Sequence, residues 1–497
     1  MIKELCILGG GTSGMVCALI QRVAFPNLNI TVVESPTIGI VGVGEGSTEH
    51  WRQFMEYVGI GAIELLKETG ATFKSGIRFT NWNGDGKEYF HSINAGFTKT
   101  NFTGISSVFA YLIAQGADPL ELIPASIAQS VHFEPFDSAV NQYHFDTFKL
   151  NAFLHKKCKE RNINIVEADI IDTLLDEDGN VNQLVTADNQ KINADFFIDC
   201  SGFKRVISSK LGAKWISVGK QLPMNSAIAF PTGYKEEIPS HTISTAVNAG
   251  WMWRIPTQER FGNGYVFCDN FISEEDAIKE AQSYFEEPIQ VGRKFKFEAG
   301  YVDKFWIKNC VAMGLAGSFV EPLEASSIGT SIQQSFGFQN LISMWQPGSK
   351  IIEDTYNRHF SAVVANIVDF VQLHYITKRD DTEFWRWCKS NIELTDFNQQ
   401  TLEEFKRVLP TSQFFGDSPY NMFGPQSWIM VMQGLDLFDT NSILEILNSQ
   451  EPGTYIQAKS SLEELKMFLS KNVPVPHREV LKQIMAHQEC EVVSFEK

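Results

Sequence analysis

Glu4-Leu5-Cys6-Ile7-Leu8-Gly9-Gly10-Gly11-Thr12-Ser13-Gly14 joins a short apolar run to a glycine-rich turn. The run reads as a buried strand, Gly9-x-Gly11-x-x-Gly14 as its turn, and Met15 to Val23 as the helix that follows. Ile30-Thr31-Val32-Val33-Glu34 reads as a second strand, and Glu34 lies 20 residues after Gly14. A dinucleotide fold puts at that distance the carboxylate that accepts hydrogen bonds from ribose hydroxyls. The glycines permit a tight turn and close approach of a pyrophosphate to a helix start, where free N–H groups and the macrodipole favour negative charge. Gly9, Gly11, Ser13, Gly14 and Glu34 are therefore candidate cofactor ligands; the bland alternative is an ordinary glycine-rich turn.

Working outward, Gly42-Val43-Gly44-Glu45-Gly46-Ser47-Thr48 is a second glycine-rich stretch, able to lie against an isoalloxazine or its ribityl chain or to be a plain surface loop. Ala194 to Asp199 and Lys308 to Met313 read as further strands. They lead into Cys200-Ser201-Gly202 and Gly314-Leu315-Ala316-Gly317. Gly44, Glu45, Asp199, Gly202, Gly314 and Gly317 join the candidate cofactor ligands, and FAD is preferred over NAD. The fold class is α/β, with an FAD-binding dinucleotide fold built discontinuously from residues 1–80, 141–215 and 301–345. Segments 81–140 and 216–300 alternate aromatic and apolar residues, which suits an inserted β-rich substrate region. Helical spacing at Val363, Ile367, Phe370 and Leu373, and later at Leu462, Leu465, Phe468 and Leu469, points to a mostly helical C-terminal module over 346–497.

At 497 residues the chain exceeds what one hydrophobic core usually holds, so two or three modules are expected. A net charge of −17 argues against nucleic acid as a partner, because phosphate backbones are collected by clustered Lys and Arg. It also means that a small anion used in catalysis must be attracted by local amides and a local cation. The eight cysteines form no C-x-x-C pair and most sit in apolar surroundings, as reduced core thiols do; no zinc spacing is present. With no signal-like segment and no apolar run of about 18 residues, a cytoplasmic protein away from membranes is expected, with homo-oligomerisation left open.

Three constellations carry chemistry. In Phe73-Lys74-Ser75-Gly76-Ile77-Arg78-Phe79, strand alternation separates Lys74, Gly76 and Arg78 from Phe73, Ser75, Ile77 and Phe79. Gly76 leaves room beside Lys74 for a cavity, although a strand lysine ordinarily faces solvent. Pro322 suits the first turn of a helix with Ile328, Ile332 and Phe336 on its apolar face, which puts Glu324, Ser326 and Ser327 near an anion-friendly helix start or simply in an ordinary capped helix. Trp251 and Trp253 fall on one face of a strand, as a core pair or as a plug over a flavin.

Together, Gly9-x-Gly11-x-x-Gly14, Phe73-Lys74 with Ile77-Arg78-Phe79-x-x-Trp82, Trp251-x-Trp253-x-Ile255-Pro256 and Glu321-Pro322-Leu323-Glu324 resemble the flavin-dependent tryptophan halogenase family. Tyr143-His144-Phe145-Asp146, Phe197 to Phe203 and Ser427-Trp428 support the resemblance, which runs from residue 2 to about 434. It implies a fold related to flavin monooxygenases and an FADH2-dependent halogenase. A separate flavin reductase would supply the FADH2, with O2 and chloride, bromide or iodide as co-substrates. Hypohalous acid made at the flavin would travel through a tunnel to halogenate an electron-rich aromatic of indole or phenol type.

Under the resemblance, Lys74 matches the essential lysine that holds the acid or forms a haloamine, and Glu324 matches the carboxylate that positions the oxidant or takes the proton. Halide would sit at Ser326 and Ser327. Trp251 and Trp253 would separate flavin from substrate, and His91, Ile93 and Trp428 would be substrate contacts. Ala325 departs from the family, many of whose members have Ser there. A flavin-dependent aromatic hydroxylase or monooxygenase and a non-catalytic FAD-binding protein are the alternative readings.

Overall fold

The computed structural model describes residues 2–39, 44–92, 105–115, 142–234, 237–415, 421–449, 452–471 and 476–486. The chain divides into two compact units, one of residues 1–71, 145–219 and 298–365, the other of 72–144, 220–297 and 366–497.

The first unit is built on a six-stranded sheet in the order Trp306–Ile307, Cys310–Ala312, Phe196–Asp199, Glu4–Leu8, Asn29–Glu34, Asn164–Glu167. All its pairings are parallel except the first. Leu5 to Leu8 and Phe196 to Asp199 are buried throughout, as expected of inner parallel strands that helices cover on both faces. Helix Thr12–Ala24 buries every residue from Gly14 to Gln21, and Gln21 donates from Nε2 to the Ser335 carbonyl of helix Ser326–Ile342 at 2.9 Å. The register sets Leu8 beside Val33 and Asp199, and Asp199 beside Ala312, so the carboxyl ends of four strands share one edge. In open α/β sheets that edge is where ligands bind.

The second unit contains a seven-stranded sheet in the order Arg293–Lys296, Ser226–Thr232, Phe261–Phe267, Gly250–Pro256, Thr242–Val247, Gly76–Thr80, Glu88–Ser92. Its pairings are antiparallel apart from Thr242–Val247 with Gly76–Thr80. Helices Glu383–Asn391, Asp396–Phe405, Pro425–Gly434, Thr440–Ser449, Pro452–Lys471 and His477–Ala486 belong to this unit. Val363, Ile367, Phe370 and Leu373, on helix Lys350–Leu373, are buried, as their spacing anticipates.

Two local expectations change. Phe73 to Phe79 is not one strand: Thr72–Phe73 pairs with Tyr143–Phe145, Gly76–Thr80 belongs to the seven-stranded sheet, and Lys74-Ser75 is the break. The room at Gly76 is also filled, since a Cβ there would meet the His91 carbonyl oxygen at 2.4 Å and the Phe90 ring at 2.5 Å. The helix after Pro322 starts later than anticipated. Pro322–Glu324 forms a single 3-10 turn, Ala325 takes a left-handed conformation (φ 53°), and the α-helix begins at Ser326. Left-handed backbone cannot continue a right-handed helix, which divides the segment in two.

Candidate functional site: a glycine turn, an uncapped helix and a buried lysine

The glycine turn is dictated by contacts. Gly9 has φ +124° and a Cβ on it would lie 2.2 Å from the Cys200 carbonyl oxygen, while a Cβ on Gly14 would lie 1.9 Å from the Gly9 carbonyl oxygen. Those two glycines let strand, turn and helix close together. At Gly11 a Cβ would meet nothing within 4 Å, and Gly11 caps helix Thr12–Ala24 without any side-chain hydrogen bond. Open space before an uncapped helix start is what a pyrophosphate requires, and the chain fits FAD there.

Glu34 stands beside this turn, with Oε2 2.9 Å from Nε2 of His155. Its carboxylate has acceptor capacity left for a ribose. Ser13 Oγ lies 2.8 Å from Ser331 Oγ, and a Cβ on Gly314 (φ +58°) would meet Ser13 Oγ at 2.4 Å. Asp199 is fully buried and directed into its own loop. Oδ1 accepts from the Ser201 amide and hydroxyl, and Oδ2 from the Ile207 amide and the Ser208 amide and hydroxyl, all at 2.6–3.1 Å. It fixes the loop carrying Gly202, whose φ of +68° turns into open space. A Cβ on Gly317 would meet the Ala312 carbonyl oxygen at 2.9 Å.

Gly44 and Glu45 are half-buried, and burial raises the Glu45 carboxyl to about 7. Nearby, His50 lies 3.0 Å through Nδ1 from Thr48 Oγ1 and accepts at Nε2 from Gln333 Nε2 at 2.8 Å, while burial lowers it to about 4. His155, Ser331 and Gln333 were not singled out from the sequence, because only the fold brings them to these loops.

Helix Ser326–Ile342 has Ala325 as its N-cap and no side-chain cap. Ser326 is buried and Ser327 half-buried, and their carbonyls accept from Thr330 Oγ1 and Ser331 Oγ, each at 3.0 Å. Their amides lie in the first turn, where an α-helix supplies no acceptor. Glu324 is 2% exposed.

In the second unit, Lys74 is 0% exposed. Its amide donates to the Gln142 carbonyl at 2.8 Å, and the Ser75 amide to the Ser240 carbonyl at 2.7 Å. Trp251 and Trp253, on strand Gly250–Pro256, have ring centroids 6.1 Å apart and planes at 57°. Trp253 lies over its cross-strand partner Gly264, where a Cβ would be 2.0 Å from the indole.

His91 is buried against Phe370 (5.2 Å) and Phe423 (6.2 Å). Trp428 is fully buried among Phe370, Phe397, Phe405 and Phe415. Ile93 lies outside the described residues. Among the described residues no group of three or more acidic, His or Cys side chains could hold a metal, and no helix is long and apolar enough to cross a membrane.

The model of the tryptophan halogenase family matches residues 4–444. The chain belongs to the tryptophan halogenase family. Tryptophan 6-halogenase ThaL of Streptomyces albogriseolus is 30% identical over 446 residues, covering 83% of each chain. The solved tryptophan halogenase of Shewanella frigidimarina superposes with a TM-score of 0.87 at 25% identity, covering 97% of this chain and 98% of that one. BrvH, a flavin-dependent halogenase from Brevundimonas sp., gives 0.84 at 27% identity, with 97% and 99% covered. This tryptophan halogenase family member is thus a flavin-dependent halogenase, an enzyme of α/β fold.

Proposed function

We propose that the chain halogenates an electron-rich aromatic, an indole or a phenol, using FADH2 from a separate flavin reductase, O2 and a halide. Bound FADH2 would supply two electrons to O2, the oxidant, so that one oxygen atom leaves as water and the other oxidises halide to hypohalous acid while the flavin becomes FAD. Gly9, Gly11, Gly14 and Glu34 would hold the pyrophosphate and ribose. The amides of Ser326 and Ser327 would hold the halide against the repulsion of a chain of net charge −17. Trp251 and Trp253 would keep the aromatic from the flavin.

Lys74 would then take the halogen step in one of two ways. Its ammonium gives a proton to the oxygen of the acid, which departs as water as the halogen bonds to an aromatic carbon. Alternatively its neutral amine displaces that water first, forming an N–halogen bond that passes the halogen on. In both, the carbon loses its proton to the Glu324 carboxylate. An oriented donor and an oriented base of this kind contribute on the order of 10²- to 10⁴-fold each.

The observation that carries this reading is the complete burial of Lys74, a lysine taken wholly out of water in a segment tied by its backbone amides to Gln142 and Ser240. Its test incubates the full chain with a flavin reductase, NADH, FAD, O2 and each of chloride, bromide and iodide, over a panel of indoles and phenols read by mass spectrometry. Halide-dependent addition of halogen is the expected result. Hydroxylated product with no halogen incorporation would contradict it.

A further inference from the structure

The two residues before Lys74 are each held by a histidine from a distant part of the second unit. Thr72 Oγ1 donates to the Pro256 carbonyl at 2.7 Å, which spends its one proton. The contact of 3.2 Å between Thr72 Oγ1 and His144 Nδ1 therefore has the imidazole as donor. Nε2 of His144 is then the acceptor for the Thr242 hydroxyl at 2.9 Å. The Phe73 amide donates to Nε2 of His477 at 3.3 Å, and Nδ1 of His477 lies 3.4 Å from the Pro239 carbonyl, to which it donates. Each ring thus carries one proton, on Nδ1, and is uncharged.

Burial first, then the charge of Lys74 and the like charge that His477 and His241 would carry if protonated, hold His144 well below its usual range; burial dominates at His477, lowering it to about 4. Both histidines are 0% exposed. With the Lys74 and Ser75 amides held by Gln142 and Ser240, three consecutive amides, Phe73 to Ser75, are anchored to three separate segments.

We propose that His144 and His477 are positioning residues for Lys74, two neutral imidazoles that hold the Thr72 hydroxyl and the Phe73 amide and so fix where the following residue presents its nitrogen. The assignment rests on the reading of Lys74 as the halogen-transfer residue. Halogen transfer requires the nitrogen within bonding reach of the acid, and a displacement of about 1 Å can cost on the order of 10²-fold in rate.

The experiment compares His477→Phe and His144→Phe, which remove the hydrogen bonds, with His477→Gln and His144→Asn. Gln restores an acceptor at the Nε2 position, and Asn a donor at the Nδ1 position. Thr72→Val, a smaller change, removes the hydroxyl that His144 holds. Each variant is assayed as full chain with reductase, FAD, O2, bromide and an indole, for kcat and KM toward the indole, for hypobromous acid caught by a diffusible β-diketone, and for thermal unfolding.

The Phe and Val variants are expected to lose kcat at least tenfold, with KM within twofold and trapped hypobromous acid undiminished, while Gln and Asn recover to within threefold. Wild-type kcat in the Phe and Val variants would overturn the proposal. So would equal losses in the Phe variants and their conservative partners, since the lost hydrogen bonds would not then be the cause. If a Phe variant fails to fold, Thr72→Val with the Gln and Asn variants decides. Lys74→Ala separates the two ideas, because undiminished aromatic halogenation in that variant defeats the parent reading itself.

Discussion

At the residue scale, Ala325, between Glu324 and Ser326, is a non-glycine held in left-handed backbone at φ 53° and ψ 37°. Left-handed backbone costs a residue with a Cβ about 1 kcal/mol or more, so Ala325→Gly is expected to stabilise the chain by roughly 1 kcal/mol in thermal unfolding, and Ala325→Ser not at all. Asp199 works in the opposite direction, since five donors converge on its two oxygens. Asp199→Ala leaves buried amides unpaired and is expected to cost on the order of 3 kcal/mol and to weaken FAD binding, measured by urea unfolding and flavin titration. The glycines of the turn were legible in the sequence because their demand is local: Gly9 and Gly14 are required by atoms a few bonds or one strand away. The burial of Lys74 was not legible. It depends on Gln142, Ser240 and His477, which lie far along the chain and leave no mark in the spacing around residue 74.

At the scale of elements, the two indoles on strand Gly250–Pro256 were legible from their period of two, and the antiparallel register adds what no single segment could show. Trp253 rests on Gly264 of the adjoining strand, in space that any side chain would occupy. Gly264→Ala is expected to displace the indole, cost about 1–3 kcal/mol by overpacking, and raise uncoupled flavin oxidation relative to halogenated product. Unchanged coupling in a folded Gly264→Ala protein would count against a shielding role for Trp253. The start of helix Ser326–Ile342 was misplaced by four residues from sequence, because Pro322 suits a 3-10 turn as well as an α-helix. The later start leaves the Ser326 and Ser327 amides, with no side-chain cap, in the first turn.

At the scale of the whole molecule, folding excludes protons from some buried groups and retains them on others. His50 and His477 fall to about 4 from 6.5, and His144 falls well below 6.5. Their folded values are depressed, so their contribution is complete above pH 6.5 and is lost as pH falls toward 4. Glu45, raised to about 7, and Asp369, raised to about 6, have the opposite sign: they favour the folded state most at low pH and lose that contribution as pH rises. These imidazole and carboxyl contributions therefore run in opposite directions with pH. Single variants expose each part. His477→Gln is expected to gain roughly 2 kcal/mol on wild type between pH 7 and pH 5, and Glu45→Gln to gain roughly 2 kcal/mol between pH 5 and pH 8, by urea unfolding. Four strands of the discontinuous sheet were readable as short apolar runs, three of them ending in a glycine turn, whereas Asn164–Glu167 and Trp306–Ile307, and the division of the chain into two units, depend on which distant segments pack together.

The proposed mechanism separates two steps, oxidation of halide at the flavin and transfer of halogen by Lys74. It is tested most directly by measuring brominated indole and trapped hypobromous acid side by side in wild type and Lys74→Ala, with reductase, FAD, O2 and bromide in excess. The expected result is brominated indole reduced at least a hundredfold in Lys74→Ala, with hypobromous acid in the trap equal to or above wild type. Brominated indole at the wild-type rate in Lys74→Ala would contradict it.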